Sequence, residues 1–157
     1  MPLPPHLARS LDGAPLRRLV AIAGSAVGRN WAAALSDLEG LTPAGASVLL
    51  LLARHGDRVA SRDLAELSWI KPATLTGVVD TLEKSALVAR ERDEGDRRVV
   101  FISLTEPGRA RVGQIMPRLS TVFPPSAVEA DPAKEAVVRE YLMELISLTC
   151  EEVELDG

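Results

Sequence analysis

Between residues 61 and 104 the apolar spacing changes period, and that change limits the folds open to the chain more than any other feature. Leu64, Ala65 and Leu67 sit on one helical face behind Ser61, which reads as an N-cap. Asp63 falls in the first turn, where it complements the positive end of the helix dipole. Ser68-Trp69-Ile70 breaks the pattern, and Lys71-Pro72 starts it again. Proline's missing N–H costs nothing at a first helical position. Leu75, Val78, Val79 and Leu82 then form an i, i+3, i+4, i+7 stripe that ends near Ser85. Two short helices across a tight break are a helix-turn-helix pattern. From Leu87 the period is that of a strand. Leu87–Arg90 and Arg98–Leu104 are β-rich runs around Asp93-Glu94-Gly95-Asp96, which predicts a hairpin whose turn takes its positive φ from Gly95.

Helical patterns flank this region on both sides. Residues 1–14 (MPLPPHLARSLDGA) are expected to be an arm with weak intrinsic structure. From Pro15 the apolar residues Leu16, Leu19, Val20, Ala23, Ala26, Val27, Trp31, Ala34, Leu35 and Leu38 recur three and four apart, and Gly40 closes the run. Thr42-Pro43 reads as a cap and first turn for a helix carrying Ala46, Leu49, Leu52 and Ala53 as far as His55-Gly56. Thr105-Glu106-Pro107 caps another, with Val112, Ile115, Met116, Leu119, Val122 and Phe123, stopped by Pro124-Pro125. Asp131-Pro132 starts the last, whose apolar residues Val137, Val138, Tyr141, Leu142, Leu145, Ile146 and Leu148 make a face too broad for one neighbour. The expected fold is mainly α with a small β-hairpin wing, a winged helix-turn-helix with a long helix on either side. Its divisions are an arm (1–14), an N-terminal helix (15–40), the winged region (41–110) and C-terminal helices (111–157).

The length of 157 residues allows one domain with a real core plus extensions. The longest apolar run, Ser47–Ala53, ends at Arg54 and is far too short to cross a bilayer, so no membrane association is expected. Prolines occupy the N-terminus where a signal peptide needs an apolar core, which with the single Cys150 fits a cytoplasmic protein. The net charge of −4 runs against nucleic-acid binding until its distribution is considered. Residues 124–157 hold two basic and nine acidic groups, a local charge of −7, so the rest of the chain carries +3. A neutral-to-basic working surface therefore remains open outside the C-terminal segment.

Residues 90–105 (RERDEGDRRVVFISLT) crowd four arginines and four acids around Gly95. Such a tip is either a solvated turn laced with ion pairs or a probe for something anionic. Beside it, the helix from Lys71 offers Lys71, Ala73, Thr74, Thr76, Gly77, Asp80 and Lys84 on its outer face, with Pro72 at its start. A helix with small polar residues outward can lie in a DNA major groove, although a plainly solvated face has the same composition.

The stretch LTPAGASVLLLLARHG…SRDLAELSWIKPATLTGVVDTLEKSALVARERDEGDRRVVFISLTEPG resembles the MarR family of bacterial transcription regulators. Its most specific part is Asp96-Arg97-Arg98 with Leu104-Thr105 and Gly108, after the Leu82–Arg90 segment. The resemblance implies a homodimer paired through its terminal helices, binding double-stranded DNA at a palindromic operator and responding to a small aromatic or apolar effector. It implies that Lys71, Pro72, Ala73, Thr74, Thr76 and Gly77 lie on the base-reading helix. It further implies that Asp96 braces the wing through an ion pair to an arginine while Arg98 enters the minor groove. Arg90, Arg92 and Arg97 would then serve phosphates or the brace. Two positions depart from the family: Gly77, where many relatives are basic, and Ala86, where a glycine usually precedes the first wing strand and whose change hints at a different turn geometry.

Other candidate sites are weaker. Cys150 reads as structural or incidental rather than redox-active. His6, His55 and Cys150 lack the short-range ligand spacing of a zinc site, so neither metal nor cofactor is expected. Trp31 and Trp69 are read as core or interface residues before pocket residues. No nucleophile–base pair, phosphate loop or paired carboxylate points to an enzyme. The expected function is a DNA-binding regulator, most simply a repressor. A winged-helix protein-interaction module without DNA binding is the alternative, kept open by Gly77 and the acidic balance.

Overall fold

The computed structural model describes residues 3–56 and 58–151, with the backbone alone for 149–151. It divides into a unit ending at Val122 and a second from Phe123 onward.

The expected unstructured arm contains a helix, α1 (Pro5–Leu11). Pro5 enters the first helical position with its φ already set, and no residue of α1 is buried. α2 (Leu16–Ala34) is shorter than the apolar spacing implies. Beyond Ala34 the chain closes three-residue turns, with Leu38 N–H bonded to the Leu35 carbonyl and Leu41 N–H to that of Leu38. A three-residue winding keeps residues three apart on one side. Leu35, Leu38 and Leu41 therefore stay buried without a helix, and their spacing alone mimics one. Gly40 takes φ +72° in this segment.

α3 (Pro43–Arg54) starts as its sequence requires, with Thr42 Oγ1 accepting from Gly45 N at 3.1 Å. Ala46, Val48, Leu49 and Leu52 are buried along it, whereas Ala53 is exposed. A strand the sequence does not announce follows, β1 (Arg58–Ala60). Three residues are too few to display alternation. It runs directly into α4 (Ser61–Ser68), so Ala60 holds the cap position, Ser61 lies inside the helix, and no side chain caps it. α4 buries Leu64 and Ala65 and leaves Leu67 exposed, then ends on Trp69 in a left-handed conformation.

α5 (Pro72–Lys84) buries Leu75, Val79 and Leu82, with Val78 half-buried. β2 (Val88–Arg92) and β3 (Val100–Leu104) pair antiparallel, Val88 opposite Leu104 and Arg92 opposite Val100. β1 adds to the other edge of β3, giving the order β1-β3-β2. The hairpin is thus offset from its sequence reading, with Arg98 and Val99 in the loop. Gly95 does not have a positive φ. Asp93 Oδ1 makes the turn instead, accepting from Gly95 N and Asp96 N, each at 2.9 Å.

α6 (Glu106–Val122) begins at Thr105, whose Oγ1 accepts from Gly108 N at 3.1 Å and donates to the Ala86 carbonyl at 2.6 Å. A Cβ on Gly108 would stand 2.0 Å from the Leu87 carbonyl oxygen, so only glycine allows this approach. Ala86 takes φ +55°, a left-handed geometry that glycine adopts more readily than alanine. Ile115 is buried on α6, whereas Met116 is exposed. Leu35, Leu49, Leu52, Leu64, Leu75, Leu82, Ile102 and Ile115 are the largest side chains sealed in the core, which joins α3 to both helices of the helix-turn-helix, the sheet and α6.

In the second unit, Asp131 Oδ1 accepts from Ala133 N and Lys134 N at 3.1 and 3.3 Å and caps α7 (Pro132–Glu151). Val137, Val138, Leu142, Met143, Ile146 and Leu148 are exposed on it. The side chain of Cys150 lies outside the described residues.

Candidate nucleic-acid interface

α5 turns its apolar stripe into the core, which leaves Lys71, Pro72, Ala73, Thr74, Thr76 and Gly77 together at the surface. Their small size gives the first two turns a low profile. Thr76 Oγ1 donates to the Pro72 carbonyl at 3.0 Å, which fixes its rotamer and turns its remaining polar capacity outward. Nothing lies within 4 Å of a Cβ built on Gly77, so that position is open space rather than a packing requirement.

Three of the wing's acids, Glu91, Asp93 and Asp96, have internal partners. Asp93 builds the turn. Asp96 Oδ1 accepts from the Arg98 backbone N–H and from its Nε, both at 3.0 Å, while Oδ2 takes Nη2 at 3.0 Å. This fork geometry holds the Arg98 side chain in one direction although 91% of it is exposed. The same hydrogen bonds, side chain first and backbone second, hold the Asp96 carboxyl below its ordinary value. The arginine that Asp96 engages is Arg98 itself. Glu91 pairs with Arg58 at 3.4 Å across the sheet, and the Arg58 guanidinium lies 3.6 Å above the Phe101 ring. Arg92 and Arg97 are exposed.

Arg90 differs from the other arginines of the hairpin. Its Nη2 meets Asp80 Oδ1 at 2.6 Å and its Nη1 meets Glu83 Oε2 at 2.5 Å, with the Thr76 carbonyl 3.5 Å away. Both carboxylates are on α5, so Arg90 ties the strand of the wing to the helix rather than pointing at an external phosphate. Asp80 and Glu83 were not legible as partners because ten and seven residues separate them from Arg90. A second cross-tie, from Arg118 on α6 to Asp37 at 2.6 Å, holds the segment after α2 and keeps the Asp37 carboxyl below its ordinary value.

Other candidates find less support. Among the described residues, no group of three His, Cys, Asp or Glu side chains is placed to hold a metal ion. Trp31 packs against the core, but Trp69 does not: it is 72% exposed. A hollow of about 300 Å³ lined by Ala34, Pro117, Arg118, Thr121 and Val122 lies between the end of α2 and α6. No described helix is long and apolar enough to cross a membrane.

A family model described as "MarR family" matches residues 41–100, the span from α3 to the second wing strand. The chain is 37% identical over 80 residues to the HTH-type transcriptional repressor MdtR of Bacillus subtilis, covering 51% of each chain. Across such curated relatives it spans between 33% and 59% of the relative's length. Among solved structures it is similar to BpsR of Bordetella bronchiseptica, a protein whose DNA binding is regulated by 6-hydroxynicotinic acid. That likeness has 27% identity and a TM-score of 0.69, over 85% of this chain and 94% of that one. E. coli MarR bound to operator DNA shares the fold, with 23% identity and a TM-score of 0.66 over 87% of this chain and 96% of that one.

Proposed function

We propose that this chain is a MarR-type, sequence-specific DNA-binding transcriptional regulator that acts as a dimeric repressor, a reading supported by its match to the MarR family model over residues 41–100. The observation that carries this reading is the pairing of two surfaces. The exposed, low-profile face of α5 stands beside a wing in which Asp96 orients the exposed Arg98 side chain. A helix of that profile fits the major groove, and an oriented guanidinium fits the narrow, electronegative minor groove beside it. On this reading Lys71, Pro72, Ala73, Thr74, Thr76 and Gly77 face the bases and adjoining phosphates, and Arg98 probes the flank. Arg92 and Arg97 take phosphates, and Arg90 fixes the angle between helix and wing.

Two copies joined through their terminal helices would present two such surfaces to a palindrome. Exposed Leu16, Ile22 and Val27 on α2 and the apolar residues of α7 support that pairing. A small aromatic or apolar effector fits the same reading. BpsR offers the analogy, and the hollow beside Pro117 offers a place for one. The location that goes with this activity is the cytoplasm.

The test is binding of the whole chain to a palindromic duplex from the DNA upstream of its own gene, measured against salt. Affinity should fall steeply with ionic strength and exceed that for an unrelated duplex. Binding to neither duplex would move the chain to the protein-interaction alternative.

A further inference from the structure

We propose that Trp69 is an additional DNA contact, one that packs on the sugar–phosphate wall of the groove α5 enters. The inference rests on the DNA-binding reading above and adds a residue to it. Trp69 has φ +55° and ψ +26°, a left-handed conformation that a bulky side chain adopts only under constraint. One other non-glycine residue in the described chain has a positive φ, Ala86, and its carbonyl is held by the Thr105 hydroxyl. Trp69 closes α4 through its N–H on the Glu66 carbonyl at 3.3 Å, yet its side chain gains little packing from that geometry. Its side chain is 72% exposed. Strain that packing does not repay points to a role at the surface.

Its position says what it would meet there. Trp69 precedes the α5 cap residue Lys71 by two positions, so their Cα atoms are at most about 7 Å apart. With the first turns of α5 inside a groove about 12 Å wide, a side chain set back from the helix start meets the wall and not the floor. That wall is deoxyribose and phosphate. The flat indole can lie on the sugar while its N–H donates to a phosphate oxygen, and exposed Lys71 places a cation alongside. Contacts of this kind set affinity and register without reading sequence. The exposure of Trp69 and of Lys71–Thr74, on either side of half-buried Ile70, puts the indole beside the α5 face and favours DNA over a separate protein partner.

Trp69→Gly and Trp69→Asn test the idea, because both residues accept the left-handed conformation. Each full-length variant is melted, then titrated against the palindromic upstream duplex and an unrelated duplex of equal length. The expected result is an unchanged or raised Tm with affinity lowered about five- to tenfold on both duplexes. Trp69→Phe, which keeps an apolar face and loses the N–H, should fall between. Affinity within about twofold of wild type for either folded variant overturns the proposal. A loss confined to the palindrome overturns the backbone assignment in favour of base reading. Retained DNA binding with loss of a protein partner overturns it in favour of a protein surface. If the wild-type chain binds neither duplex, the DNA-binding reading fails first, and that arm alone reveals it.

Discussion

At the scale of single residues, the family-like motif around the wing separates into structural and exposed parts. Thr105 and Gly108 are structural: one hydroxyl joins the start of α6 to the turn at Ala86, and the absent Cβ admits the Leu87 carbonyl. Gly108→Ala should destabilise the fold by about 2 kcal/mol or more, since backbone on both sides must move apart. Urea denaturation would measure this, and an unchanged midpoint would show the contact to be compliant. Ala86 is the opposite case. Its left-handed φ costs an L-residue about 1–2 kcal/mol, part of which glycine gives back in chain entropy. Ala86→Gly should therefore raise stability by about 0.5–1 kcal/mol, visible as a shifted midpoint at constant slope.

At the scale of elements, helix and wing should fail differently. If the chain binds DNA as proposed, Arg98→Ala should lower operator affinity and weaken the preference for A·T-rich flanks, because a minor-groove arginine reads width and potential. Thr76→Ala should instead relax discrimination at one central base position, by about 1–3 kcal/mol at most. Titrations against duplexes varied separately at flank and centre distinguish the two. Equal small losses on every sequence would make Arg98 a phosphate contact only. Arg90 belongs to neither surface. Arg90→Met should cost about 1 kcal/mol or less in stability, since its partners are largely solvated, yet weaken flank and centre together by freeing the wing from α5. A variant with wild-type affinity on both series would show that the sheet alone fixes the wing.

At the scale of the whole molecule, both units leave long apolar surfaces open, on α2 in the first and α7 in the second. Obligate dimer interfaces commonly bury more than about 2,000 Å² of largely apolar surface. Removing residues from Asp131 onward should yield aggregate or unfolded chain in place of a soluble protein, as judged by sedimentation and circular dichroism. A folded monomer from that truncation would overturn the dimer reading.

The sequence alone determined the helices that start at proline behind a turn, α3, α5 and α7, because the pyrrolidine ring fixes the first φ locally. It also determined that residues 87–104 pair as a hairpin, since that depends on a turn a few residues long, whereas the Asp96 ion pair to an arginine is expected only from the family resemblance. Tertiary structure decided the rest. Leu35 and Leu38 left the helix their spacing suggested because a tighter winding buries them equally well. β1 exists only because β3 offers an edge to Arg58–Ala60. Arg90 turned inward because folding brought Asp80 and Glu83 beneath it, and carboxylates within 2.6 Å hold a guanidinium that no periodicity could have assigned. Local rules set where elements begin, and contacts between residues distant in the chain set where charged side chains point.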